Sequence, residues 1–182
     1  VSVDEIARRL GVSPAILYRH FASKEALYEA VLSQTAHHRE SYVAAVVNSD
    51  GSFDQVLRQI SRIHVESVLQ DPDYLRMEMQ SALEGNRATQ QFFDYRWRPL
   101  LDYIEFTIEE LSPGLAVGAG GARVAALLYQ GMLREALYAK CITDSERYRQ
   151  FETTELVDRL IDLFFRAVGY RAGIDKGPDY RP

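Results

Sequence analysis

Residues 2–28 read SVDEIARRLGVSPAILYRHFASKEALY and predict two short helices around a tight turn, followed by the start of a third helix. Ser2 and Glu5 have the spacing of a capping box, which opens the first helix. Gly11 adopts a left-handed conformation easily and can end that helix. Ser13-Pro14 then starts the second helix, with Ser as the cap and Pro at the first helical position. These are the proportions of a helix-turn-helix, whose second helix enters the major groove of DNA.

The rest of the chain repeats such start and stop signals, and almost nothing alternates with a period of two. Pro99 lies inside one of the predicted helices and should kink it. We found no internal repeat. The predicted fold class is all-α, with helices over about 24–47, 53–70, 73–84, 89–110, 121–140 and 153–168.

Composition fits an ordinary globular protein: 182 residues, 47% apolar and 26% charged. The net charge of -5 argues against a polycation that coats nucleic acid indiscriminately. A single cysteine, Cys141, excludes an intrachain disulfide and a multi-cysteine metal site. Because no apolar run approaches a bilayer span and no signal-peptide pattern opens the chain, we expect a cytoplasmic protein. The chain starts at Val1, already inside a helical signal, so we expect some N-terminal sequence to be missing.

The two short helices divide into an inner and an outer face. The apolar positions that can form a small core between them are Ile6, Ala7, Leu10, Val12, Leu17 and Phe21. Pro14, Ala15, Tyr18, Arg19 and Lys24 are left to face outward. A Lys in the first turn of a helix opposes the macrodipole, so Lys24 is better explained by an external anion. Tyr and Arg can both donate to phosphate, and Arg can also bind guanine with two hydrogen bonds.

These residues also carry a family resemblance. Residues 6–13, IARRLGVS, followed by 17–21, LYRHF, and 23–27, SKEAL, resemble the TetR family of transcriptional regulators. The Tyr-x-His-Phe-x-x-Lys spacing ahead of a long helix is much more specific than a generic helix-turn-helix. The resemblance covers about the first 32 residues. It implies a regulator that binds a palindromic DNA operator as a dimer, most simply as a repressor, and is released by a small-molecule effector.

The resemblance also implies roles for individual positions. Pro14 and Ala15 match positions near base edges, Tyr18 and Arg19 match positions that contact phosphates and bases, and His20 and Lys24 match phosphate-contacting positions. Ser2 and Val3 match backbone-contacting positions at the start of a helix, where phosphate is favoured. The implied DNA-binding set is Ser2, Val3, Ser13, Pro14, Ala15, Tyr18, Arg19, His20 and Lys24.

The resemblance predicts two domains, a helix-turn-helix domain over 1–35 and a helical ligand-binding and dimerisation domain over 36–182. The family has one further helix in front of this unit, and this chain lacks it, so the first domain is expected without its first helix. Residues 1–49 hold five basic and five acidic residues, so the net charge of -5 belongs to the remainder. The acidity therefore lies away from the predicted DNA-reading end.

The last two predicted helices are apolar on more than one side, which favours a second packing partner for each. In TetR-like proteins these helices pair across a two-fold axis as a four-helix bundle. The predicted interface residues are Leu128, Leu133, Leu156, Leu160, Leu163 and Phe164. Two central helices of a monomer would show the same pattern.

The middle helices are rich in aromatic residues and Met, where the family places an effector pocket. Such side chains suit an apolar or planar ligand, with Tyr hydroxyls and a His to orient it. The predicted lining is His64, Tyr74, Met77, Phe92, Phe93, Tyr95, Trp97, Tyr103, Tyr129 and Met132. Taken one by one, each of them is more often ordinary core than part of a pocket.

An enzyme is the rival class, and its usual motifs are missing. There is no helical Glu-x-x-His pair and no His-Glu-x-x-His. His37 and His38 are adjacent, so they point to different sides of a helix and make a poor joint metal site. Residues 118–121 resemble part of a dinucleotide-binding motif, but no predicted strand precedes them. Cys141 has no evident base to activate it as a nucleophile. We therefore expect no catalysis, metal or cofactor. An all-helical dimeric scaffold without DNA binding remains the alternative function.

Overall fold

The computed structural model describes residues 2–31, 33, 51–85, 87–111 and 121–171, and every regular element in those ranges is helical. The predicted all-α fold class is confirmed. Contacts divide the chain into two units, 1–39 and 40–182, each with its own core.

The first unit contains helices α1, Val3–Leu10, and α2, Pro14–His20, and the start of α3 over 24–31. The Ser2 hydroxyl accepts from the Glu5 amide at 3.2 Å, and Gly11 ends α1 in the left-handed region with φ 70°. The other half of the predicted capping box is absent because the Glu5 carboxylate accepts from the guanidinium groups of Arg8 and Arg9 instead.

The core of the first unit is built on Val3, Ala7 and Leu17, with Ile6 and Val12 packed against it. The prediction that Leu10 belongs to this core was wrong, because its side chain is 63% exposed. Leu10 lies on the same helical face as the core residues, but at the last position of α1. The chain turns away at the next residue, so the core ends one helical turn earlier.

The second unit begins with α4, Phe53–Gln70, α5, Asp73–Glu84, and α6, Arg87–Leu111. It continues with α7, Gly121–Leu137, and α8, Thr153–Val168. These bounds agree with the predicted helices to within a few residues. The kink expected at Pro99, which α6 includes, stays a prediction. The predicted turn signals at 48–50 and 112–114 and the tail from 173 lie outside the described residues.

The end of α7 differs from the prediction. The helix does not continue regularly to Lys140 but widens into a π-helical turn, Tyr138–Ile142, followed by a short 3-10 turn, Glu146–Tyr148. The Lys140 ammonium donates to the carbonyl oxygen of Phe151 at 2.6 Å, which ties the π-helical turn to the segment that precedes α8. Local sequence has no signal for this turn, because it depends on a contact eleven residues away.

The core of the second unit lies between α4, α6, α7 and α8. Helix α7 packs against α6 and α8, and α4 packs against α8. The largest side chains enclosed there belong to Phe53, Leu57, Tyr103, Ile104, Ile108, Tyr129, Leu133, Leu137, Ile161 and Phe164. Ion pairs from Arg58 to Asp162 and from Arg62 to Asp158 join α4 to α8 at the surface.

Candidate nucleic-acid interface

The outer face of α2 is open to solvent. Leu17 anchors the helix to the core at 8% exposure, whereas Tyr18 is 53% exposed and Ala15, Arg19 and His20 are exposed as well. One buried residue on a seven-residue helix leaves the opposite face free, because residues two positions away point about 160° from it. The phenol and the guanidinium of this face are therefore presented outward, as the resemblance implies.

The start of α3 adds a second set of donors. The Ser23 hydroxyl accepts from the Ala26 amide at 3.1 Å, which caps the helix as predicted. Lys24 is exposed in the first turn. The backbone amide of Glu25 and the Ser23 hydroxyl hold the pKa of the Glu25 carboxyl below its usual value. Glu25 is thus charged at neutral pH and bound to its own helix start, while Lys24 points into solvent.

The start of α1 provides less than the resemblance implied. The Ser2 hydroxyl is already used as the helix cap, and the side chain of Val3 is buried in the core at 8% exposure. Only the backbone of Val3 can face a phosphate. Arg8 and then Arg9 lower the pKa of Glu5 by hydrogen bonding, so this carboxylate offsets both cations.

Two further residues of the α2 region stand out. Ser13 caps α2 by position, but its exposed side chain makes no capping hydrogen bond. Its hydroxyl is therefore not used within the helix start. Ile16, which the sequence reasoning did not include, is 45% exposed. The sequence signal that could have indicated this exposure is its position next to Leu17. On a short helix with one buried residue, the adjacent residue points sideways and not inward.

The structure places the predicted pocket residues in separate local groups. His64 and Trp97 form one, with ring centroids 5.2 Å apart. Tyr74, Phe93 and Phe92 form another, with successive centroids 5.1 and 5.6 Å apart. The Arg96 guanidinium lies over the rings of Tyr74 and Phe92 at 5.4 and 5.6 Å. Met77 and Met132 are half-buried.

Tyr103 and Tyr129 lie deeper, inside the main core. Burial raises the pKa of Tyr103 to about 12, against a smaller opposing effect of the nearby Thr107 side chain. Tyr129 is fully buried, and its hydroxyl lies 2.6 Å from the hydroxyl of Ser61. Tyr95, in contrast, is 68% exposed, which does not favour a place in the lining of a pocket. It lies two residues after the buried Phe93, on the opposite side of α6.

The predicted dimer residues divide in the same way. Leu133 and Phe164 are each 1% exposed and belong to the core, so they were wrong. Leu128 and Leu163 are 47% and 55% exposed. Leu156 and Leu160 are half-buried and pack against the core. Two residues that the prediction missed, Val124 and Leu127, are 67% and 63% exposed.

Over the described residues, no group of three or more His, Cys, Asp or Glu side chains could hold a metal ion. His37 and His38 lie outside those residues. Cys141 is half-buried, and burial raises the pKa of its thiol. Among the helices that the structure describes, none has the length and apolar character needed to cross a membrane.

Comparison with known proteins agrees with the helix-turn-helix. Residues 1–31 match the sequence family described as bacterial regulatory proteins, tetR family. Two uncharacterized HTH-type transcriptional regulators of Mycobacterium tuberculosis, from strains CDC 1551 and H37Rv, are each 37% identical over 82 residues. That match covers 43% of this chain and 34% of each relative. The chain thus matches about a third of the length of these relatives.

Solved structures share the fold over nearly the whole chain. The fatty acid degradation regulator FadR from Bacillus halodurans has a TM-score of 0.69 at 16% identity, covering 94% of this chain and 87% of that one. A TetR/AcrR-family transcriptional regulator from Thermobifida fusca has a TM-score of 0.56 at 21% identity, with the same coverage of 94% and 87%. At these identities the likeness shows the fold alone. Residues 1–31, which contain the helix-turn-helix, are therefore similar to the tetR family of bacterial regulatory proteins.

Proposed function

We propose that this protein is a ligand-responsive transcriptional repressor that binds a palindromic DNA operator as a homodimer and is released by a small apolar or aromatic effector. The observation that carries the proposal is the exposed face of α2 and the start of α3, within the residues that match the family. Tyr18, Arg19, His20 and Lys24 all present donors there. Hydrogen bonds to phosphate set the position of such a helix on the duplex, and contacts to base edges select the sequence.

Charge supports the same surface. The body of the protein carries the whole net charge of -5, whereas residues 1–49 are neutral. Glu5 offsets Arg8 and Arg9 within α1. Arg19 and Lys24 are the exposed cations that remain for a phosphate in the described part of the first unit. Binding by a few placed donors, and not by a cationic coat, favours a specific site over indiscriminate binding.

The homodimer is supported by the exposed apolar surface of α7 and α8. Val124, Leu127 and Leu128 have the i, i+3, i+4 spacing of one helical face, and Leu163 lies on the helix that packs against α7. An exposed patch of this kind is typical of a protein–protein contact. A helix-turn-helix that reads two half-sites about 34 Å apart requires two copies.

The effector site is proposed between α5 and α6, at Tyr74, Phe92 and Phe93, with His64 and Trp97 as the second group. The aromatic faces and the Arg96 guanidinium stacked on them suit a planar ligand. A ligand releases the operator only if it binds the two arrangements of the protein with different affinity. We propose that the ligand favours an arrangement in which the two recognition helices no longer match the operator spacing.

The test is binding of the full-length protein to operator duplexes selected from a random pool, measured by fluorescence anisotropy over a salt series. We expect Lys24→Ala to weaken binding and to reduce the slope of log K against log salt by about two phosphate contacts, one for each copy in the homodimer. Tyr18→Phe should weaken binding without changing that slope, because it removes a neutral donor. Arg98→Ala is the matched control, since Arg98 is an exposed cation of the second unit.

If the native protein binds no duplex with a salt-dependent affinity, the dimeric scaffold without DNA contact is the better reading. A loss of binding in Arg98→Ala as large as in Lys24→Ala would place the DNA surface elsewhere.

A further inference from the structure

The N-terminal half of α2 carries no side chain that can form a hydrogen bond. Its first three residues are Pro14, Ala15 and Ile16, and all three are exposed. The polar residues of the helix, Tyr18, Arg19 and His20, all lie in its C-terminal half. In a helix-turn-helix, the N-terminal residues of the second helix are the ones that approach base edges. The side chains that the first half of α2 itself can offer to a base are therefore apolar.

Ile16 dominates this apolar surface. It is 45% exposed, and its backbone is held in the helix by the bond from its amide to the Ser13 carbonyl at 3.0 Å. A single exposed aliphatic residue is ordinary on a protein surface, so exposure alone assigns nothing. The position of Ile16 in the helix is what assigns it a role. Ile16 lies three residues before Arg19, on the neighbouring part of the same helix face. If the Arg19 guanidinium binds a base or a phosphate, it holds Ile16 near the floor of the major groove.

The major groove offers one apolar feature on its base edges, the C5-methyl group of thymine. We infer that Ile16 and Ala15 contact a thymine methyl in each operator half-site, and that Ile16 determines specificity at that base pair. This rests on the proposed function, because it needs α2 to enter the groove. The ligand class is a duplex with a C5-methylated pyrimidine at that position.

The test replaces thymine by deoxyuridine, one position at a time, in the operator selected with the native protein. The replacement removes the methyl group and keeps every hydrogen bond of the base pair. We expect one position in each half-site to lose about fourfold in affinity for the native protein, the cost of one apolar carbon returned to water. A duplex with 5-methylcytosine there should bind more tightly than one with unmodified cytosine.

The Ile16→Ala variant completes a double-mutant cycle between the protein side chain and the thymine methyl group. It should bind the thymine operator more weakly than the native protein and respond little to the loss of the methyl group, because the two partners act through one contact. Leu69→Ala is the matched control, since Leu69 is similarly exposed at 47% but lies in the second unit. It should keep the full methyl effect. Thermal unfolding of both variants should stay close to native, because neither side chain is in a core.

Two results would overturn the inference while leaving DNA binding intact. In one, no deoxyuridine replacement changes the affinity of the native protein. In the other, Ile16→Ala keeps the full methyl effect, which would then arise from duplex shape or from another residue. If no duplex is selected at all, the proposed function itself fails, and the inference fails with it.

Discussion

Ser61 and Tyr129 join α4 to α7 through hydroxyl groups buried in an otherwise apolar core. The Ser61 hydroxyl donates to the Leu57 carbonyl at 2.7 Å, and the Tyr129 hydroxyl lies 2.6 Å from Ser61. Burial raises the pKa of Tyr129, so its phenol keeps its proton and can donate. Every polar atom of the group has a partner, which is the condition for keeping such atoms in a core.

Tyr129→Phe should lower the free energy of unfolding by about 1 kcal/mol, the usual net value of one hydrogen bond. The loss stays small because Ser61 keeps its bond to the Leu57 carbonyl. Urea denaturation followed by circular dichroism measures it. Tyr95→Phe is the control, since Tyr95 is 68% exposed, and it should change nothing measurable. Equal effects of the two substitutions would contradict the role assigned to Tyr129.

Glu78 is an acid that lies buried in the second unit. Its carboxylate meets the Arg134 guanidinium only at 4.0 Å, and its side chain is 11% exposed. Burial raises its pKa, Arg134 opposes this, and Asp94 adds to it. Because the folded pKa is raised, the stability associated with protonated Glu78 is present at low pH. It is lost as the pH rises above the ordinary value of 4.5.

Glu78→Gln removes this titration. The free energy of unfolding of the variant, relative to the native protein, should increase as the pH rises from about 4.5 to 7.5, in line with linkage. Denaturation at several pH values measures the difference, and other carboxylates cancel because both proteins share them. If the difference in free energy of unfolding between variant and native protein stays constant or falls over this range, the folded protein ionises Glu78 without losing stability.

At the scale of elements, α7 has apolar residues both on the face that packs in the core and on the face exposed to solvent. Its inner face holds Ala125, Tyr129 and Leu133, all buried, and its outer face holds Leu127 and Leu128, both exposed. Hydrophobicity alone could not separate them, because both faces are apolar. That is why the predicted interface mixed core residues with surface ones, and why Leu133 was assigned to the wrong face.

Leu127→Asp should dissociate the proposed dimer, because two-fold symmetry would place a carboxylate from each copy in one apolar contact, where an unpaired charge costs several kcal/mol. Sedimentation velocity should show a loss of dimer affinity of at least about 100-fold. Leu83→Asp, at an 83% exposed position on α5, is the matched control and should stay dimeric. A monomeric native protein, or an unchanged Leu127→Asp dimer, would remove this surface from the proposal.

At the scale of the whole molecule, the proposed function assigns DNA reading to the first unit and effector binding to the second. A planar aromatic compound that raises the melting temperature of the native protein should also lower its operator affinity, since linkage makes the coupling reciprocal. Phe92→Ala should raise about fivefold the ligand concentration needed for a given thermal shift, because stacking contributes about 1 kcal/mol. It should leave ligand-free operator binding unchanged. Tyr95→Ala is the exposed control.

A compound that binds tightly and leaves operator affinity unchanged would contradict the effector mechanism. If Tyr95→Ala weakens the thermal shift as strongly as Phe92→Ala, the ligand does not lie between Tyr74 and Phe92.

Sequence by itself determined the helices and the helix-turn-helix, because caps, glycine stops and apolar spacing act over four or five residues. Ser23, Gly11 and Gly169 end or begin helices where the local signal predicts. Only the tertiary structure decided which apolar side chain is core and which is surface. Leu10, Tyr95 and Leu133 each carry a strong apolar signal, yet their burial depends on what packs across from them. That is a property of contacts distant in sequence, and helical periodicity does not encode it.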